Sequence, residues 1–229
     1  MSPKLSNQQR PWGTIVLIVL CCVPELALQG ADWGLWGSAR WRPLTYQNGA
    51  FWSGLLRGWQ PNYAAQPYTM FVTYAFLHAG AGHLVVNMIT LYTMGREIAR
   101  RISQRHMLLI YGTSIFGGAA GYAILGPVVQ PMVGASGALF GLAGSWVTWD
   151  VWGVLRINRT MKTFVYAITW PVLFLVGLNV IMYWAAEGQL AWETHLGGFL
   201  AGAIVAALLV ACRRTSAERC PDEFTSQSD

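Results

Sequence analysis

The 229-residue chain reads as an all-α polytopic membrane protein, a bundle of six spanning helices. Composition is the first reason. Hydrophobic residues make up 54% and charged residues only 11%, against roughly 25% charged in ordinary soluble domains. The second is that the apolar residues fall in blocks near the ~20 residues that an α-helix needs to cross a bilayer. The third is a set of glycines spaced by four, the small-xxx-small arrangement that lets helix backbones approach closely. These are Gly117 and Gly121, Gly137 and Gly141, and Gly198 and Gly202.

Taken in order, the blocks are Trp12–Leu28, Leu84–Arg101, Met107–Leu125, Met132–Trp149, Phe164–Ala186 and Leu196–Cys212. The first has a basic start at Lys4 and Arg10 but no small-x-small cleavage site, and Glu25 and Gln29 follow. It reads as a retained helix rather than a signal peptide. Between the first two blocks lies the long connection Gly30–Gln66, with Trp33, Trp36, Trp41, Trp52 and Trp59. Tryptophan favours the membrane–water interface, so residues 30–66 are expected on or in the outer leaflet. Three parts follow: a cytoplasmic segment 1–11, a membrane domain 12–212 and a polar, disordered tail 213–229.

Charge sets the orientation. With the N-terminus inside, six spans also place the C-terminus inside. The cytoplasmic segments then hold every Lys and Arg except Arg40, Arg42 and Arg57. Positive charge concentrates on the cytoplasmic side, which favours N-in/C-in. The formal charge of +5 then reflects topology and contact with anionic lipid, not nucleic acid, because no basic run is interleaved with stacking aromatics. Cys21, Cys22, Cys212 and Cys220 lack metal-type spacing and read as packing thiols. No cofactor is implied.

Polar residues inside such blocks are costly and are functional candidates by default. Ser136 lies in Gly134-Ala135-Ser136-Gly137, four residues into the fourth block, a helical descent of about 6 Å. His195 stands at the start of the sixth, and His83 and Asn87 at the start of the second. With N-in topology, all four enter from the outer side at shallow depth, where water reaches. A serine hydroxyl needs an adjacent base to become a nucleophile, and His195 is the candidate. A tetrahedral oxyanion needs fixed donors. The backbone N–H groups of Ala135 and Ser136 at a helix start can supply them, as can His83 and Asn87, which share a helix face at i, i+4. Phe140, one turn below Ser136, is placed to pack on the imidazole.

A third triad member is absent from this reading. Asp150 lies 14 residues past Ser136, at the wrong end of the same block, and Glu193 points away from the imidazole face. Nothing aims Glu25 at His195, so a Ser–His dyad is the simpler reading. Taken singly, a membrane serine usually bonds a neighbouring helix. His78 and His106 look ordinary. The combination on three blocks entering from one side is what carries weight.

His83-Leu-Val-Val-Asn87, Gly134-Ala135-Ser136-Gly137-Ala138 and His195-Leu-Gly-Gly198 followed by Gly202 resemble the motifs of the rhomboid intramembrane serine proteases. The resemblance implies a six-helix rhomboid bundle with a water-accessible cavity opening outward. It implies Ser136 as nucleophile, His195 as general base, and His83 and Asn87 in the oxyanion hole. Gly134, Gly137, Phe140, Gly198 and Gly202 pack the site. It implies that residues 30–66 form a membrane-embedded hairpin, and that substrates are single-pass membrane proteins cut near the outer end of their helix. The chain departs from many members at Thr69-Met70, where they carry Trp-Arg, at Thr194, and at Phe140, where they carry Tyr.

The alternative reading is a catalytically weak or inactive relative that binds membrane helices, although such relatives typically lack the serine or histidine. A transporter would place polar elements at the midplane, which reads as apolar here. The lack of a targeting extension and the N-in arrangement point to a bacterial inner membrane.

Overall fold

The computed structural model describes residues 11–157, 160–185 and 190–218; the expected segments 1–10 and 219–229 lie outside these residues. The described chain is built from helices, with one isolated antiparallel bridge between Phe51 and Met132. The long helices are α1 (Trp12–Asp32), α4 (Ala81–Arg101), α5 (Gln104–Leu125), α6 (Ser136–Ile157), α7 (Met161–Ala185) and α8 (Trp192–Glu218). Two short ones, α2 (Trp41–Gly49) and α3 (Gln66–Thr73), lie between α1 and α4. The helix α8 runs through residues 213–218, a stretch expected to be disordered.

By length and hydropathy, three described helices can cross a bilayer: Trp12–Asp32, Gln104–Leu125 and Trp192–Cys212. A fourth crossing arises if Gln66–Phe76 and Ala81–Arg101, bent by 79° at their break, form one broken span. The faces these helices turn outward are apolar. On α8, Leu196, Leu200, Ile204 and Leu208 recur every four residues and are exposed, a stripe suited to lipid contact.

Ordinary helix signals set the boundaries. The first helix runs four residues past the expected end and stops where Gly34 takes φ +70°, with the Leu35 N–H returning to the Gly30 carbonyl at 2.9 Å. Helix α5 is capped at its start by Ser103, whose hydroxyl accepts from the His106 N–H. At this end of the bundle the Gly13 N–H donates to Gln104 Oε1 at 2.7 Å. Arg101, on α4, reaches Asp150, near the end of α6, at 3.1 Å. Asp150 is therefore a structural partner remote from Ser136.

Close packing centres on α8. A Cβ added to Gly198 would lie 1.9 Å from the Gly137 carbonyl oxygen, and one on Gly202 1.9 Å from that of Gly141. On the other side of α8, a Cβ at Gly197 would lie 2.2 Å from the Gly117 carbonyl. Glycine is needed because backbone meets backbone. The expected glycine pairs are the surfaces that bring α6 and α5 against α8.

The connection 30–66 is more than an interfacial loop. It contains α2 and a 3-10 turn at Ser53–Arg57, and its Ala50 and Phe51 are fully buried in the core. Phe51 packs edge-on against Phe71, Tyr74 and Tyr122. Trp33, Trp36, Trp41 and Trp59 remain exposed.

Candidate active site

The starts of α4, α6 and α8 meet at one end of the bundle. Ser136 is the first residue of α6, and here the structure corrects the sequence reading. Met132–Ala135 is not a helical turn. It is a strap, held by paired Phe51–Met132 backbone bonds of 3.0 Å and by the Gly134 N–H donating to the Tyr74 carbonyl at 2.9 Å. The Tyr74 hydroxyl in turn donates to the Ile115 carbonyl at 2.7 Å. Ser136 is thus presented by a tethered turn rather than by a preceding turn of helix. A residue opening a helix leaves its own N–H without an intrahelical acceptor, so the backbone near Ser136 Oγ offers donors.

His195 sits one turn into α8, 3% exposed. Its Nε2 lies 2.9 Å from Ser136 Oγ. Phe140 stacks on the imidazole, with ring centroids 4.1 Å apart and planes 5° from parallel. That stack limits ring rotation, so the histidine keeps its edge toward the hydroxyl. Its other nitrogen, Nδ1, lies 2.5 Å from Asn179 Oδ1 on α7. The sequence reading missed Asn179. Its signal was an amide within the apolar block Phe164–Ala186, where polar side chains are costly.

His83 and Asn87 converge on Gly134 from α4. A Cβ on Gly134 would lie 2.7 Å from His83 Cε1 and 3.7 Å from Asn87 Nδ2. Gly134 also holds φ +126°, a conformation that side chains resist. Glycine here serves both backbone shape and space. The Ala79 N–H donates to His83 Nδ1 at 3.3 Å, which leaves the proton on Nε2, the nitrogen facing Gly134. The Asn87 amide nitrogen is buried with no hydrogen-bond partner among the described residues. Two side-chain donors therefore point at the backbone just before Ser136, and the amide finds no acceptor among the described residues.

Glu25 and Arg42 belong to the scaffold around this end. Arg42 forks onto Glu25 at 2.8 and 3.0 Å, reaches Asp32 at 2.6 Å and donates to the His78 carbonyl at 3.0 Å. The hydrogen bond to Glu25 is the chief cause that pushes the guanidinium further above its already high pKa. His78 is fully buried, its ring 5.2 Å from that of His83; it backs the site, contrary to its ordinary appearance in the sequence. Cys21 and Cys22 are free thiols, and no cluster of metal-binding side chains occurs among the described residues.

Fold and site together define an all-helical integral membrane protein with a hydroxyl–imidazole pair at one end of the bundle. A family model for the rhomboid domain matches residues 65–212, and the chain belongs to the rhomboid family. It is 32% identical over 144 residues to "RHOMBOID-like protein 6, mitochondrial" of Arabidopsis thaliana, covering 61% of this chain and 43% of that protein. It is 29% identical over 133 residues to "Rhomboid protease GluP" of Bacillus subtilis, covering 58% and 24%. To "Rhomboid protein 1, mitochondrial" of Saccharomyces cerevisiae it is 29% identical over 142 residues, covering 57% and 38%. The chain thus spans less than half the length of each of these relatives.

Proposed function

We propose that this chain is an intramembrane serine endopeptidase that acts through Ser136 and His195. The observation that carries the reading is the 2.9 Å contact between Ser136 Oγ and His195 Nε2 beneath the Phe140 stack. His195 takes the Ser136 proton as Oγ attacks the scissile carbonyl, then returns it to the leaving amine. His83 Nε2–H, the Asn87 amide and the backbone N–H groups of Ala135 and Ser136 stabilise the oxyanion. Water then hydrolyses the acyl-enzyme with His195 as base. The chemistry needs no cofactor.

All six long helices span the bilayer in this proposal, with both termini cytoplasmic and the site at the outer end, in a bacterial inner membrane. The charge asymmetry supports that orientation. The substrates are single-pass membrane proteins, cut near the outer end of their helix. An apolar groove of about 590 Å³ beside His195, walled by Val172 and Val176 of α7 and Leu196 and Phe199 of α8, supports an apolar ligand.

The test is cleavage of a model single-pass substrate by wild type, Ser136→Ala and His195→Ala. Each variant should lose cleavage while remaining folded and inserted, and the double variant should be no worse than either, because members of a coupled pair do not add. Substantial cleavage by Ser136→Ala would remove the serine-hydrolase reading.

A further inference from the structure

We infer that Asn179 is a positioning residue that sets the tautomer of His195, tying the competence of the Ser136–His195 pair to the seating of α7. This rests on the serine-hydrolase reading above. The amide of Asn179 has a fixed orientation. Its nitrogen donates to the Leu175 carbonyl one turn back, at 3.0 Å. The flipped amide would set two acceptor oxygens against each other, so the oxygen must be the atom facing His195. An amide oxygen only accepts, so His195 Nδ1 carries the proton in their 2.5 Å contact. The neutral imidazole then has a bare Nε2, and the Ser136 hydroxyl donates to it across 2.9 Å. That is the protonation pattern a general base needs before it accepts the serine proton.

An amide suits this place. In papain-like proteases an asparagine orients the catalytic histidine in the same way. A carboxylate would perform the orientation too, but burying a charge in an apolar segment is far more costly. The placement adds a second consequence. Asn179 belongs to the α7 wall of the apolar groove and His195 to the α8 wall. Their hydrogen bond bridges that groove, so a displacement of α7 away from α8 removes the acceptor and frees the imidazole tautomer.

The experiment uses the full chain in detergent, with Asn179→Leu, Asn179→Asp and Ser136→Ala. The readouts are kcat and KM on a model single-pass substrate, the rate of Ser136 modification by a fluorophosphonate against pH, and 15N NMR of histidine-labelled protein. The His195 signals are identified by their loss in His195→Gln. Wild type should show His195 protonated at Nδ1 and bare at Nε2. Asn179→Leu should lower kcat and the labelling rate about tenfold, the scale of one neutral hydrogen bond, with KM within about twofold. Asn179→Asp should keep the rate and move the acid limb of the pH profile to higher pH, because a carboxylate favours the imidazolium. Wild-type labelling and pH profile in Asn179→Leu, or an Nε2-protonated His195 in wild type, would overturn the assignment. If Asn179→Leu does not fold, an unmoved acid limb in Asn179→Asp overturns it as well. An unlabelled Ser136 beside an Nδ1-protonated His195 would sink the hydrolase reading and leave the positioning geometry standing.

Discussion

Replacing Gly198 with alanine tests how closely the site depends on helix packing. The new Cβ would lie 1.9 Å from the Gly137 carbonyl oxygen, 2.7 Å from its carbon and 3.1 Å from its Cα. All three are backbone atoms, so no side chain can swing aside. Ordinary contact begins near 3.4 Å, so α8 must retreat from α6 by about 1.5 Å at this point (3.4 less 1.9). Gly198 is one turn from His195, and Gly137 is next to Ser136. The retreat therefore falls on the 2.9 Å contact between them and stretches it toward 4 Å, beyond hydrogen-bond reach. A misplacement of about 1 Å can cost about 10²-fold in rate, so kcat on a model substrate should fall at least that far. Gly112→Ala and Gly153→Ala are the controls, since a Cβ at either meets nothing within 4 Å. Helical alanine is favoured over glycine by roughly 1 kcal/mol, so both should keep their activity and thermal stability. Gly198→Ala that remains folded with wild-type turnover would refute the reasoning.

Asn87→Ala should lower kcat by about 10²–10³ with little change in KM, the cost of one oxyanion donor; weaker binding with unchanged kcat would count against that role. Gly134→Ala should reduce kcat severely, because its φ of +126° and the nearby His83 ring leave no place for a Cβ; wild-type kinetics would contradict this. Arg42→Ala should destabilise the fold by roughly 3 kcal/mol, since it strands Glu25, 1% exposed, without its cation; thermal unfolding reads the loss. Arg42→Lys should not restore it, because an ammonium lacks the two-pronged geometry that grips Glu25. Cleavage sites mapped in a model substrate should fall near the outer helix end, at small residues preceding Gly, Pro or polar ones, because a helical peptide bond must be unwound to be reached. Replacing those residues by Leu should slow cleavage; undiminished cleavage, or a cut near the cytoplasmic end, would contradict the topology.

Ser136, His195, His83 and Asn87 were legible because each is polar in or beside an apolar block, and such residues stand out. The glycine pairs were legible for the opposite reason: their spacing has a packing meaning independent of context. Asn179 carried the same signal as Ser136, but it lies 15 residues into its apolar block rather than at a block's start, where the other candidates gather. The strap before Ser136 was hidden because Met132–Ala135 is as apolar as the helix it precedes. Its extended course is imposed by Phe51 and Tyr74, both far away in sequence. The burial of Phe51 was masked by its tryptophan-rich neighbours, which are exposed. Length and hydropathy recognise three crossings among the described residues, or four if the bent pair is one span.

The most direct test of the central claim is covalent labelling of the detergent-solubilised chain by a fluorophosphonate, followed by mass mapping of the modified residue. The account predicts a single adduct on Ser136 in wild type. It also predicts loss of the adduct in His195→Ala, because the hydroxyl is a weak nucleophile without its base. Labelling at another residue, or undiminished labelling of Ser136 without His195, would contradict it.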